Sequence, residues 1–209
     1  ASFSAALAAL AVGDAELLLD ISEISLAMSL EALLGVRAAF DPRIHAARGH
    51  PGQIQVAEHI LKLTEGSTLL DSTSRVQDAY SLRCAPQIHG PARETAAFVR
   101  EIISREINAA TDNPLLFEPG IAISGGNFHG EALGMGMDFL SIALAEISAV
   151  SERRIFRMTD ENLSGGLPPM LVDSPEKAGL NSGMMMPHYT AVSLALENKT
   201  LASPDSIHS

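Results

Sequence analysis

The sequence predicts a mainly α fold, a bundle of long helices with one small, partly irregular β-hairpin element. Three observations predict it. Apolar residues recur at helical spacing over stretches far longer than a strand, above all in residues 2–35 and 128–158. Aromatic residues make up only 4% of the 209 and Trp is absent, so the core must be built from Leu, Ile, Ala and Met. That mix suits helices packed closely through small residues. Two short apolar runs flank Pro119-Gly120, a turn dipeptide, and read as the hairpin.

The elements follow in order. Residues 2–35 place Leu7, Leu10, Leu17, Leu18, Ile21, Ile24, Met28 and Leu34 at roughly helical spacing, with Gly13-Asp14 a point where the helix kinks or divides. Gly35 is the predicted stop, followed by a polar connection through Asp41-Pro42 and Gly49. A second helix is predicted from Gln53 to Leu63, ending at Gly66. Residues 66–90 carry no clear period, and an irregular stretch of that length in a compact domain points to function. Pro91 then fits the first turn of a helix whose buried face is Val99, Ile102, Ile103 and Ile107. Asp112-Asn113-Pro114 ends it, and Leu115–Phe117 and Ile121–Ile123 form the hairpin arms. The helix expected from Phe128 to Met158 is roughly 45 Å long at about 1.5 Å per residue. The cations Arg153, Arg154 and Arg157 near its end suit the helix dipole. Gly165, Gly166, Pro168 and Pro169 make a loop, and a last helix spans Gly183 to Leu201. The whole, residues 1–209, reads as a single domain, and helices this long are expected to bury their stripes against other copies of the chain.

Composition removes several function classes. A formal charge of −11 leaves no basic stripe for nucleic acid and opposes an anionic membrane surface. Asp14, Glu16, Asp20 and Glu23 interrupt the first apolar stretch and argue against a membrane span. One cysteine, Cys84, excludes an intrachain disulfide and suits a reducing cytoplasm. No basic leader precedes the first apolar residues, and both ends fall abruptly, so the chain is expected to be part of a longer one. There is no Cys/His cluster at zinc spacing, so no metal is expected, and neither a phosphate-loop lysine motif nor a Gly-x-Ser-x-Gly elbow occurs. Gly125-Gly126-Asn127-Phe128-His129-Gly130 precedes a helix but lacks the glycine spacing of a phosphate cradle.

The informative stretch is residues 76–90. Tyr80 and Arg83, three apart, meet on one face if this stretch is helical. A guanidinium fork beside a phenol suits a carboxylate ligand, the fork taking two oxygens while the phenol handles a proton. A surface Arg beside a core Tyr gives the same spacing, and spacing alone leaves both readings open.

Gln77-Asp78-Ala79-Tyr80-Ser81-Leu82-Arg83-Cys84-Ala85-Pro86-Gln87 resembles a block of the aromatic amino-acid ammonia-lyase family, in the wording of its histidine branch. Asp112-Asn113-Pro114-Leu115 and Ser124-Gly125-Gly126-Asn127-Phe128-His129-Gly130-Glu131 resemble that family's next blocks. Arg43-Ile44-His45-Ala46-Ala47-Arg48-Gly49-His50-Pro51-Gly52-Gln53 is similar to an earlier one. Ser151-Glu152-Arg153-Arg154, Asn181-Ser182-Gly183 and Glu197-Asn198-Lys199 fall in the same order, so the resemblance covers nearly the whole chain.

The resemblance implies a fumarase/aspartase-like helical bundle, a homotetramer with shared active sites, acting on a small amino-acid substrate. It implies elimination of ammonia from an aromatic L-amino acid: histidine to trans-urocanate, with phenylalanine or tyrosine lyase or aminomutase chemistry as the alternative. The family's electrophile is a methylidene-imidazolone formed autocatalytically from an Ala-Ser-Gly triad, with no metal or nucleotide. No Ala-Ser-Gly occurs in this sequence, and Ala1-Ser2-Phe3 is no substitute, because ring closure uses the unhindered glycine nitrogen. The resemblance places the triad, a mobile tyrosine loop and an Asn before Ala1, and a Gln-Glu-Asp block after Ser209. The 209 residues alone are therefore expected to be inactive, and an inactive helical assembly module is the reading from another class. By residue, the resemblance gives Arg83 the substrate carboxylate, Tyr80 a place beside the electrophile, and Gln77 and Asn113 neutral hydrogen bonds to the substrate. It gives Phe128 the wall of the aromatic pocket and Met185 a contact with the imidazole, while His45, His89 and His129 are expected to be structural.

Overall fold

A computed structural model describes residues 2–177 and 179–208. The helices are α1 (Ser2–Ala32), α2 (Pro42–Arg48), α3 (Pro51–Leu63), α4 (Tyr80–Arg83), α5 (Ala85–Glu106), α6 (Glu131–Thr159) and α7 (Met185–Leu201). The strands β1 (Leu115–Leu116) and β2 (Ala122–Ile123) pair antiparallel, Leu115 opposite Ile123 and Leu116 opposite Ala122. The hairpin is where the sequence puts it, with Gly120 at a positive φ of 88° in its turn.

Helix α1 runs unbroken through Gly13-Asp14. A mid-helix glycine costs only about 1 kcal/mol against alanine, which tertiary packing outweighs. The buried stripe is not the one its large residues suggest. Ala5, Ala8, Val12, Ala15 and Leu19, spaced three or four apart, pack on Ala92, Ala96, Val99 and Ile103 of α5 and Leu133, Leu140 and Ile147 of α6. Leu7, Leu10, Leu17, Leu18, Ile21, Ile24 and Met28 all face outward. Small residues let three helix axes approach closely, so the alanine face goes inside and the large apolar face is left open. Further along, Leu26, Leu30 and Leu33 build a second cluster with Phe40, Val56, Ile60, Leu82 and Ala85.

Helix α1 ends at Ala32, three residues before the predicted stop at Gly35. Leu34 takes the left-handed conformation at φ 53°, and the Gly35 N–H donates to Leu30 O at 2.7 Å, closing the last turn. The connection that follows contains α2, which the apolar pattern does not show. Asp41 caps it by accepting the Arg43 N–H, Pro42 opens it, and Gly49 closes it at φ 80°.

Helix α5 starts at Ala85 rather than at Pro91. Pro86 takes its first turn and Pro91 lies inside it. Opposite, Gly52 and Gly90 bring α3 and α5 almost into backbone contact: a Cβ on Gly52 would stand 2.4 Å from Gly90 O, and one on Gly90 2.5 Å from Gln53 N. Ile107 is exposed, so the buried face of α5 closes at Ile103. Helix α6 begins at Glu131, leaving Phe128 in the preceding loop, and α7 buries no residue fully.

By length and composition alone α1 and α6 could each cross a membrane. In the fold both hold charges paired across helices. Glu23 of α1 is fully buried, 2.6 Å from His59 Nδ1 and 2.5 Å from Arg93 Nε. They are core helices of the bundle.

Candidate active-site face

The loop that carries the site is fixed from beneath by an ion pair between half-buried Arg75 and buried Asp78. Asp78 accepts the Val36 N–H at 2.6 Å through one oxygen and Arg75 Nη2 at 3.1 Å through the other. The same Arg75 nitrogen donates to Leu33 O at 2.5 Å and Leu34 O at 3.0 Å. Those carbonyls are ones a helix C-terminus leaves without partners, so the loop is fastened to the end of α1 by groups that had to be satisfied anyway. From the other side, Leu82 enters the second core cluster. Arg154 of α6, also buried, donates to Ser81 O at 3.3 Å and to Ser151 Oγ at 2.9 Å. Burial holds Arg154 at about 10, below the ordinary arginine range. It does not lie on the surface serving the helix dipole, as its place near the end of α6 suggests; it supports α4 from below.

With its buried side fixed, this short turn presents Gln77, Tyr80 and Arg83 outward. The Arg83 guanidinium lies 4.8 Å from the Tyr80 ring centroid, a cation–π stack. Arg83 Nη1 donates to Gln77 Oε1. The Gln77 carbonyl is engaged by Arg83, and its amide N–H groups have no intrachain acceptor among the described residues. Among the described residues Arg83 has no carboxylate partner, in a chain with 25 acidic residues against 14 lysines and arginines. Tyr80 is 69% exposed and its hydroxyl has no intrachain partner among the described residues. A guanidinium and a phenol on one open face can take a carboxylate and hold a proton.

The other three candidates stand apart from this cluster. Asn113 Oδ1 accepts the Gly125 N–H at 2.7 Å and the Ser124 hydroxyl at 3.0 Å, tying the two flanks of the hairpin and leaving its NH2 unused. Phe128 is 53% exposed, three residues before α6. Met185 is the first residue of α7 and half-buried. Among the described residues no hydrogen bond joins these three to Gln77, Tyr80 or Arg83, and none of the six lines a principal cavity of the single chain. Sequence reasoning missed the supporting ion pair, Arg75 with Asp78, although the i,i+3 spacing was visible. Of the histidines, His45 is buried against Gln53 Nε2 at 2.9 Å, His89 is buried 3.3 Å from Ser22 Oγ, and His129 Nδ1 accepts the Glu131 N–H at 3.2 Å.

A profile of the family "Aromatic amino acid lyase" matches residues 1–209. Histidine ammonia-lyase of Treponema denticola is 49% identical over 203 residues, 96% of this chain and 39% of that one. The crystal structure of histidine ammonia-lyase from Trypanosoma cruzi superposes with a TM-score of 0.86 at 43% identity, over 97% of this chain and 37% of that one. Tyrosine aminomutase from Streptomyces globisporus gives a TM-score of 0.90 at 35% identity, over 99% of this chain and 43% of that one. The chain thus spans about two fifths of the length of the relatives it matches. With a match over its full length, relatives at about half identity and the same helical fold, the chain belongs to the aromatic amino acid lyase family.

Proposed function

We propose that residues 1–209 are the central helical-bundle portion of a larger lyase that removes ammonia from L-histidine to give trans-urocanate. The observation that carries this reading is the Arg83 guanidinium, without a carboxylate partner among the described residues, stacked on Tyr80 and bonded to Gln77 on an open face. Arg83 binds the substrate carboxylate, and the free N–H groups of Gln77 and Asn113 add neutral donors to it. Tyr80 assists proton movement near the β-carbon, Phe128 walls the ring, and Met185 touches the imidazole. The histidine assignment is supported by the names of the relatives at about 50% identity. The aminomutase neighbour keeps phenylalanine or tyrosine chemistry as the second reading.

A methylidene-imidazolone, when present, supplies the electrophile that takes up the substrate amine. The exposed phenol of Tyr80 and the open face around it leave space for such a group. Its Ala-Ser-Gly precursor would come from outside these 209 residues, which contain none. The outward apolar face of α1 supports assembly, as a homotetramer in which several copies complete each site. A lone cysteine supports a cytoplasmic enzyme, and the formal charge of −11 supports a small-molecule substrate without nucleic-acid or anionic-membrane partners.

Arg83 provides the test. In the longer protein, Arg83→Lys keeps the charge but loses the planar fork. Losing one charge-assisted hydrogen bond is worth roughly 1.5–3 kcal/mol, so kcat/KM for histidine should fall about ten- to a hundredfold. Arg83→Ala should fall further, with both variants keeping wild-type melting temperature and oligomer size. Near-wild-type kcat/KM in folded Arg83→Ala would end the carboxylate assignment.

A further inference from the structure

Helix α7 is weakly specified by its own sequence. It buries no residue fully, and its N-cap, Met184, offers no side-chain acceptor to the orphan N–H groups of the first turn. Toward its far end Asn198 Nδ2 donates to Ser148 Oγ at 2.9 Å. The first turn is held differently. The Met184 N–H donates to Met170 O at 2.7 Å, from a segment where Met170 and Leu171 both sit at positive φ. Gly183, itself at φ 53°, allows the approach, since a Cβ there would stand 2.1 Å from Met170 O.

A further tie is a side chain. His188 lies one turn after Met185 on α7, with a side chain only 13% exposed and Nε2 3.4 Å from Glu152 Oε1. That is ion-pair reach, although Nε2 makes no well-aimed hydrogen bond. The ring also packs on Phe156, centroids 5.7 Å apart, one turn beyond Glu152 on α6. Glu152 is itself fixed, accepting Arg153 Nε at 2.5 Å and Nη2 at 2.6 Å. Arg153 first, and then His188, hold its carboxyl below the usual range, so it stays a fixed negative partner.

We propose that His188 is a positioning residue: clasped between Glu152 and Phe156 of α6, it sets the rotation of the first turn of α7 and thereby where Met185 meets the substrate ring. The proposal rests on the reading of Met185 as a substrate contact. A side chain three residues away on the same helix face turns with Met185 as one body, because i and i+3 lie one above the other. His188 touches no substrate. Its effect is on binding geometry, uniform between ground and transition states, and belongs in KM rather than kcat.

The experiment uses the longer protein in five forms: wild type, His188→Ala, His188→Gln, Met185→Ala, and the Met185→Ala/His188→Ala double variant. Gln places an N–H donor where Nε2 stands. In His188→Ala, KM for histidine should rise about tenfold with kcat within about twofold, and His188→Gln should recover most of the loss. In the Met185→Ala background the further change to His188→Ala should do nothing more, because the residue it positions is gone. Hydrogen exchange gives a readout independent of activity. Amides of residues 185–189 should exchange at least about tenfold faster in His188→Ala, return toward wild type in His188→Gln, and leave residues 195–201 unchanged. Unchanged exchange in the first turn, or losses that simply add in the double variant, would overturn the proposal. If the wild-type protein releases ammonia from no aromatic amino acid, the functional reading has failed, and the exchange comparison still decides whether His188 fixes the turn.

Discussion

At the residue scale, buried groups have consequences that can be measured without any substrate. His89 is fully buried on α5, and burial, with Arg154 and Arg93 nearby, pushes its pKa down to about 3 from an ordinary 6.5. The folded state keeps it neutral, while the unfolded chain takes up a proton as pH falls below 6.5. The unfolded state therefore binds more protons between those limits, and stability is lost as pH falls through them, by roughly 1.4 kcal/mol per pH unit. Above about pH 5 the paired carboxylates of Glu16, Asp138 and Glu152 remain ionised in both states, so the upper part of the window reports histidine. His45, also lowered by burial, adds to it with the same sign. Melting temperature between pH 7 and about pH 5 should fall more steeply in wild type than in His89→Gln. Parallel curves would contradict the buried-neutral assignment. Tyr80 and Arg83 were legible from spacing because they are three apart on one turn. Arg154 was not, because its acceptor, Ser81 O, lies 73 residues away. A buried cation on a helix reads in sequence like a solvated one.

At the element scale, the crossing of α3 and α5 depends on a glycine pair that no periodicity reveals. Gly90→Ala puts a Cβ within 2.5 Å of Gln53 N and 2.9 Å of Gly52 C, both main-chain atoms that cannot swing aside. Overpacking of this kind costs about 1–3 kcal/mol or more. Gly13→Ala meets nothing within 4 Å and should stabilise by up to about 1 kcal/mol through helix propensity. Urea unfolding of the two variants should therefore shift in opposite directions, and a stable Gly90→Ala protein would show that the helices can part. Helix existence was legible wherever apolar period and length agreed, as in α3 and α6. The start of α5 was misplaced because Pro86 and Pro91 both satisfy the first-turn rule, and only the packing of Ala85 against the second cluster decides between them. The short α2 was missed because its signal is capping, Asp41-Pro42 to Gly49, and not hydrophobic period.

At the scale of the whole molecule, the single chain is an unfinished surface. Leu18 and Ile21 of α1, Leu144 of α6 and Leu201 of α7 line one open groove, and the large apolar face of α1 continues from it. Exposed patches of this kind mark protein, membrane or ligand contact surfaces, and the proposed assembly would cover this one. The sequence predicted long helices seeking partners, and the large apolar stripe it singled out on α1 is exposed in the single chain; the alanine stripe that packs inside was not singled out, since a hydrophobic period ranks leucine above alanine. It grouped six site residues, of which one chain assembles only Gln77, Tyr80 and Arg83. Asn113, Phe128 and Met185 sit on separate elements, which an active site shared between copies would bring together. The most direct test is to offer the longer protein L-histidine, L-tyrosine and L-phenylalanine separately and follow ammonia and the unsaturated product together. Equal amounts of ammonia and urocanate from histidine are predicted, with kcat/KM at least about a hundredfold above the other two substrates. Preferred turnover of tyrosine or phenylalanine, a β-amino acid product, or no ammonia from any of the three would contradict the account.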